Sequence, residues 1–373
     1  MKTANKKHEP LFHITKNDAI PMTKAIGIRV FAILIALILV GILSMILIKE
    51  NPFLIYKAMF DGAFIDAWTL LQNTALLLMF GLAVIPAFQM KFWNLGANGQ
   101  VLVGCLSAIA CMKFIPQKFP DISNGLLILI MALASILASC IWSVIPAIFK
   151  AYFNTNETLF TLMMNYIAIT MVDYFVFTWD KTGSGTLGIV NLLNGKKGWI
   201  PDISNRYVLS IIVALIMTVF MFVYMKYTKH GFEVSLVGES VNTAKYVGIN
   251  VKKVIIRTLL LGGIICGILG FLYAGSVSHT INKEVGGLGF TAILVAWLAN
   301  FDSGVMLLTS FFVVFLDTGS KYVSTQFQLN SNDYANIVVG IIFFFVIGCE
   351  FFIRYRIQFN KRKSKSIEER EEA

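Results

Sequence analysis

Long apolar runs that are almost free of charge constrain this chain more than any other feature. Segments 26–48 and 211–224 carry almost no ionisable residue, the pattern of helices that cross a hydrocarbon core about 30 Å thick. Runs of this kind recur at 26–48, 67–90, 97–113, 125–148, 157–178, 208–228, 257–276, 287–299, 304–324 and 334–353. They predict an all-α polytopic membrane protein of about ten transmembrane helices, with eight as the lower count. The segments at 97–113 and 287–299 are shorter than a full crossing, which predicts broken or re-entrant helices there. Composition agrees: 57% of residues are hydrophobic and 14% charged, whereas soluble domains carry about 25% charged residues.

The net charge of +10 does not indicate nucleic acid. The basic residues sit beside spans, and no basic recognition element is present. Cys105, Cys111, Cys140, Cys266 and Cys349 all lie in apolar stretches and read as small buried hydrophobes rather than a disulfide framework or metal site. A polar stretch of 25 residues precedes the first run, with no cleavage motif after it, so no removed signal peptide is expected. Lys2, Lys6, Lys7, Lys16 and Lys24 precede the first span, and Arg354, Arg356, Lys361, Arg362, Lys363 and Lys365 follow the last. The positive-inside rule then places both termini in the cytoplasm, which an even helix number satisfies. Lys226, Lys229, Lys245, Lys252, Lys253 and Arg257 fall inside as well. The loop 179–206 falls outside despite Lys181, Lys196, Lys197 and Arg206, as long loops are allowed to. Trp68, Trp93 and Trp179 stand at span ends, where amphipathic rings prefer the interface; Trp142 and Trp297 do not fit that belt. The expected layout is a cytoplasmic segment 1–25, a transmembrane domain 26–353 and a cytoplasmic basic, charged tail 354–373, solvated or disordered after Lys361.

No G-x-x-x-x-G-K-[ST] loop occurs, so the chain has no cradle for ATP phosphates and energy must come from elsewhere. An ion-coupled carrier needs carboxylates within its spans. Asp173 and Asp317 are the candidates, but Asp173 lies toward a helix end and Asp317 has Lys321 one turn later. The DTGS string beginning at Asp317 supplies one carboxyl where aspartic-protease chemistry needs two. His8, His13, His230 and His279 have no helical pairing or carboxylate companion suited to a metal, and no Ser, His and Asp set assembles. Neither an enzyme nor a metal protein is expected.

Between two long spans lies the polar segment GFEVSLVGESVNTAKYVGIN, 231–250. Ser240 suits an N-cap, 241–247 make about two turns, and Gly248 suits the left-handed residue that ends a helix. Ala244 beside Tyr246 and Val247 gives a compact, partly apolar knob fit for a partner's groove. Through Gly231, Phe232, Glu233, Val237, Gly238, Ala244, Tyr246, Gly248 and Ile249 the segment resembles the ATPase-docking motif of bacterial ABC importer permeases for simple sugars and nucleosides. Ser240, Val241 and Thr243 depart from the usual Asn, Pro and Ala. All three are compatible with the same capped helix.

Two further stretches carry the resemblance. NLGANGQ, 94–100, is similar to N-[IL]-G-[AV]-E-G-Q, with Asn98 where a Glu is usual. Its glycines and polar residues mark a helix break that suits either a polar solute path or a tight interfacial turn beside Lys91 and Trp93. NETLFTLMMNYIAI, 156–169, is close to the family's N-E-[VT]-[IL]-x-T-L-M-L-N-Y-I-A. Its Asn165 either packs against a neighbouring helix or lines the path. Gly263 and Gly267, in GGIICGILG, permit close helix approach.

The resemblance implies a type II ABC importer permease of the nucleoside branch that works with basic-membrane-lipoprotein type binding proteins. It implies no cofactor on this chain and ATP-Mg on a partner ATPase subunit. A second permease subunit, identical or a paralogue, an extracellular substrate-binding lipoprotein and membrane lipid complete the expected partners. Asn94, Asn98, Gln100, Asn165, Trp93 and Trp297 are the expected path residues. Gly231, Phe232, Glu233, Gly238, Glu239, Ser240, Ala244, Tyr246 and Gly248 are the expected docking residues, within a docking segment at 229–256.

Overall fold

The computed structural model describes residues 12–16, 21–180, 186–193, 195–202, 205–282, 285, 288–329 and 333–359. In chain order the elements are β1 (Phe12–Lys16), α1 (Met22–Ile48), α2 (Pro52–Phe64), α3 (Ala67–Gln89), α4 (Ala97–Lys118), α5 (Asn124–Phe153) and α6 (Glu157–Trp179). There follow α7 (Val208–Tyr227), α8 (Lys229–Glu239), α9 (Val241–Tyr246), α10 (Val251–Leu272) with a π-helical turn (Tyr273–Val277), α11 (Leu288–Leu298), α12 (Ser303–Gln326), α13 (Asp333–Arg354) and β2 (Tyr355–Phe359). Two compact units result, Met1–Lys57 with Ser324–Ala373, and Ala58–Val323.

In the first unit α1 packs on α13. Deep in apolar surroundings, Ser44 Oγ and Tyr334 Oη share a hydrogen bond of 2.7 Å. The Tyr56 hydroxyl donates to the Leu37 carbonyl, passing over Gly41, where a Cβ would lie 3.2 Å from that hydroxyl. β1 and β2 form an antiparallel ribbon with Phe12 opposite Phe359 and Lys16 opposite Tyr355. The ribbon ties the approach to α1 and the exit from α13 to one end of the helix pair, so α1 and α13 run antiparallel. Parts of the segments that flank the helical domain are thus paired strand. Lys2, Lys6, Lys7, His8 and the tail from residue 360 lie outside the described residues.

The second unit is built around α3, which is apolar on every side and has 89% of its central window buried, as a helix without a polar face requires. α10 packs against α3, α4 and α5, and its glycines explain how one helix approaches three others. A Cβ on Gly262 would lie 2.8 Å from the Ala83 carbonyl oxygen of α3; on Gly270, 2.7 Å from the Cys105 nitrogen of α4; on Gly267, 2.5 Å from the Ile136 Cα of α5. Without a hydrophobic force between helices in lipid, such backbone approach is what holds them. α5 answers with serines spaced by four, Ser135, Ser139 and Ser143, all fully buried. Ser135 Oγ donates to the Gly267 carbonyl at 2.7 Å and Ser139 Oγ to the Gln100 carbonyl at 2.6 Å.

The unit has two ends. At one, the segment 186–202 folds over the helices: Asn191 Nδ2 donates to the Met112 carbonyl at 2.7 Å, Ile200 N–H to the Gly275 carbonyl at 2.9 Å and Val190 N–H to the His279 carbonyl at 2.9 Å. At the other lie α8, α9, the α3–α4 turn and the Lys226–Asp302 ion pair of 2.9 Å. His279 therefore belongs to the loop end and Asp302 to the docking-segment end, and the chain crosses between them. Between them runs the 11-residue α11, about 16 Å long at 1.5 Å per residue. Among the described residues nine helices are long and apolar enough to cross a membrane; α11 is too short to be one of them, as the short run at 287–299 led us to expect.

Three expectations are corrected. α4 is not broken but runs 22 residues. Lys113 and Pro116 end its apolar run, yet Lys113 Nζ donates to the Trp179 carbonyl at 2.8 Å, and the Met112 carbonyl that Pro116 leaves without its helical partner is taken by Asn191. α2, 13 residues long, escaped a search for membrane-length runs. The single surface helix expected at 241–247 is preceded by a second, α8.

Replacing Gly267 by Ala forces a methyl group against the α5 backbone, which has no side chain to give way. The expected cost is about 1–3 kcal/mol, read as a lower thermal midpoint of the purified protein. Gly125→Ala, where nothing lies within 4 Å, is the control and leaves the midpoint unchanged.

Candidate functional site: a helix break and a docking segment

α3 ends in a Schellman turn, with Phe92 N–H donating to the Ala87 carbonyl at 2.9 Å and Lys91 N–H to Phe88 at 2.9 Å. Lys91 takes φ 59°, the left-handed position usually given to glycine. From there the chain turns through Trp93, Asn94 and Gly96 into α4. α6 pins the turn: Thr161 Oγ1 accepts from Leu95 N–H at 3.1 Å.

The expected path residues divide by what they touch. Asn94 is buried and its Oδ1 accepts from Gly96 N–H at 3.0 Å, so it shapes the turn. Gln100 Oε1 accepts from Cys266 Sγ at 3.5 Å, which turns it toward α10 and helix packing. Asn98, on the first turn of α4, lies under Gly289 of α11, where a Cβ would come within 2.4 Å of the Asn98 Cβ; its Oδ1 is buried without a partner. Asn165 of α6 is fully buried against Gly99, and neither its Oδ1 nor its Nδ2 has a partner. Two unsatisfied amides therefore flank one helix turn. Each costs about 1–3 kcal/mol when left unpaired, the kind of local loss that marks a functional position.

Trp93 and Trp297 stack on each other, centroids 5.3 Å apart at 28°. Phe88 lies 5.5 Å from Trp93, Phe301 6.1 Å from Trp297, and Phe88 and Phe301 close the cluster at 6.0 Å. The rings fasten the end of α11 to the α3–α4 turn. Each ring turns one face to the other, and Trp297 remains 44% exposed. A buried polar residue that escaped the sequence reading is Gln72 of α3, whose Nε2 also lacks a partner. The QNT triplet inside an apolar helix was its signal.

The docking segment is organised as its residues suggested. Ser240 Oγ accepts from Thr243 N–H at 3.2 Å and caps α9. Gly248 takes φ +87° at its end. Upstream, Thr228 caps α8, accepting from Gly231 N–H at 3.2 Å. The nine expected docking residues separate into a seated set and a presented set. Gly231, Gly238 and Ala244 are buried, and a Cβ on Gly238 would lie 2.0 Å from the Gln89 carbonyl oxygen. Glu233 Oε2 pairs with Arg257 of α10 at 2.7 Å. These hold the segment to the helices. Phe232 at 62% exposed and Tyr246 at 94%, with Glu239 and Gly248 also exposed, present the outward face.

Asp317, the carboxylate weighed for ion coupling, is paired with Lys321 at 2.7 Å. Among the described residues no three His, Cys, Asp or Glu side chains gather as a metal site. Many long apolar helices and a polar break among them define a multi-pass membrane protein.

Comparison with known proteins identifies the family. The model of the branched-chain amino acid transport system permease component matches residues 67–347, from α3 into α13, and the chain belongs to that family. It is 31% identical over 325 residues to the guanosine ABC transporter permease protein NupP of Bacillus subtilis, covering 83% of this chain and 88% of the relative. It is 25% identical to the nucleoside ABC transporter permease protein NupB of Lactococcus lactis subsp. cremoris, covering 91% and 95%. A glucose ABC transporter permease protein of Haloferax volcanii is 27% identical, with 91% of each chain covered. The chain is accordingly a transport permease subunit and not an enzyme, and permeases of this class work with ATPase and substrate-binding components.

Asn165→Leu is expected to leave thermal stability unchanged or raised, because it removes two buried orphan atoms. Thr161→Val, which strips Leu95 N–H of its acceptor, is expected to lower stability by about 1–3 kcal/mol. Thermal unfolding of the two purified variants checks both signs.

Proposed function

We propose that this chain forms the membrane path of an ATP-driven importer of nucleosides. The observation that carries the reading is its 31% identity along most of its length to a permease whose name assigns it guanosine, supported by the nucleoside permease relative. The glucose permease relative supports a simple sugar such as ribose as the second substrate class. An ion-coupled carrier is disfavoured by the Asp317–Lys321 pair, which neutralises one of the two carboxylates such coupling would use.

In this reading α8 and α9 receive an ABC ATPase subunit that carries ATP-Mg, and this chain holds no cofactor. Phe232, Val241, Tyr246 and Val247, all substantially exposed, enter its groove, while Gly231, Gly238 and Ala244 keep the segment seated. Two permease chains, identical or paralogous, face each other, and an extracellular lipoprotein delivers solute to the loop end around 186–202. The clustering of Lys226, Lys229, Lys245, Lys252, Lys253 and Arg257 at the docking end favours the cytoplasm there. Ten crossings then bring both termini to the same side. Asn98 and Asn165 are the residues through which α4 and α6 meet the solute when the helices separate, since their free amide atoms match the donors and acceptors of a nucleoside or sugar. ATP drives the cycle by binding one of the two states better than the other.

The experiment is uptake of labelled uridine, guanosine and ribose by cells with and without the chain, before and after ATP depletion. ATP-dependent nucleoside uptake that disappears with the chain supports the reading. Loss of ribose uptake alone moves the substrate to sugars, and uptake that persists on an ion gradient defeats the ATP-driven assignment. Tyr246→Ala is expected to weaken ATPase docking by about 2 kcal/mol, roughly thirtyfold, with the amount of permease in the membrane unchanged. Co-purification of the ATPase measures it.

A further inference from the structure

At the docking-segment end, four elements meet around a cleft of about 210 Å³ lined by Gln89, Lys226, Ser235, Asn300, Phe301 and Asp302 among others. One wall is the turn between α11 and α12. Asn300 and Phe301 both take left-handed backbone angles, φ 52° and 60°. For a bulky residue such as Phe301 that conformation persists only when the surroundings enforce it. Within the turn, Phe301 N–H donates to the Ala296 carbonyl at 3.0 Å and Asn300 N–H to the Trp297 carbonyl at 2.9 Å. Three contacts come from outside it. Gln89 Nε2, at the end of α3, donates to the Phe301 carbonyl at 3.1 Å. Lys226, near the end of α7 and three residues before the start of α8, pairs with Asp302 at 2.9 Å. Phe88 packs on the Phe301 ring. Asp302 also caps α12 through its other carboxylate oxygen, which accepts from Gly304 N–H at 2.8 Å.

Gln89 touches the docking segment as well. Its carbonyl is where Gly238 of α8 seats, so closely that a Cβ there would stand 2.0 Å from the oxygen. One residue thus contacts the docking helix with its backbone and the α11 terminus with its side chain. α11 in turn carries Trp297 onto Trp93 and Gly289 onto Asn98. The contacts form an unbroken series from α8 to the helix break.

We propose that Gln89 and the Lys226–Asp302 pair are positioning residues that join the ATPase-docking segment to α11, so that displacement of α8 shifts α11 and uncovers Asn98. This rests on the ATP-driven importer reading for its biological meaning. The series supplies what mechanical transmission needs: rigid helices, direct contacts without slack, and a turn whose strained conformation is released when its outside partners let go. The cleft beside the ion pair provides room for the turn to move. Asp302 separates the two roles of its carboxylate in a testable way, because Asn at this position still accepts the cap from Gly304 but no longer pairs with Lys226 as a charge.

The test uses the complete permease–ATPase complex reconstituted in liposomes, with Gln89→Leu, Asp302→Asn, Lys226→Met and Lys226→Arg compared with the natural chain. In the first three, ATP hydrolysis stays within about twofold while labelled nucleoside moved per ATP falls by about fivefold or more, the lower end of coupling between distant sites. Lys226→Arg restores the ratio. Asp302→Asn combined with Lys226→Met is no worse than either alone. Transport and hydrolysis that fall together with the amount of complex, or an unchanged ratio, overturn the proposal.

A second arm needs no ATPase. In the purified permease, Gly238→Ala speeds amide hydrogen exchange at 300–302 by about fivefold in the natural background and adds nothing when Gln89 is Leu. Additive effects in the two backgrounds overturn the linkage. If the natural complex transports nothing on ATP, the importer reading fails and this arm alone decides the linkage.

Discussion

Backbone-to-backbone approach along α10 is the constraint on which the second unit depends. Gly262, Gly263, Gly267 and Gly270 face α3, α5, α5 and α4 in turn, so one helix serves as the common wall for three. In lipid, apolar surface gains nothing by leaving its solvent for a protein neighbour, and dispersion contacts with hydrogen bonds must do the work. Glycines maximise the first, because every omitted Cβ lets two backbones come nearer. The serines of α5 provide the second: Ser135 and Ser139 reach carbonyls on α10 and α4, satisfying their hydroxyls where no water is available. The position of α4, and with it the helix break at its start, follows from this packing.

Close packing in the unit has exceptions. Among the described residues most buried polar groups of the unit are paired, yet Asn98 and Asn165 leave amide atoms without a partner on either side of the first turn of α4. The docking segment follows the opposite logic. Gly231, Gly238 and Ala244 are sunk into the helical body and the Glu233–Arg257 pair locks the segment to α10, which leaves a stiff platform with Tyr246 at its tip.

Several features were legible because the physics behind them is local. Ser240 as a cap and Gly248 as the left-handed terminator are one-residue statements about backbone geometry, and α9 has both. The small-residue spacing of Gly263 and Gly267 likewise announced a close helix contact, though not with which helix. Other features were hidden. Lys113 and Pro116 ended the apparent run of α4, whereas the helix continues because Trp179 and Asn191, far along the chain, accept and donate where the sequence leaves gaps. That Trp93 and Trp297, far apart along the chain, stack on each other was not readable either. The docking motif mixed residues that seat the segment with residues that present it, and no one-dimensional pattern distinguishes a glycine that touches a partner from one that touches its own core.

The sequence by itself determined the class of environment, the approximate number of long apolar helices, the family and the cap and end of α9, because hydrophobic length, charge and capping act over a few residues and need no partner. The tertiary structure decided that Gln89 meets α8 and the end of α11 at once, and that α1 and α13 are joined by a strand ribbon. Each of these depends on which backbone groups are left unsatisfied after packing and on what lies within 3 Å of them. That is a property of long-range proximity, which residue order alone does not reveal.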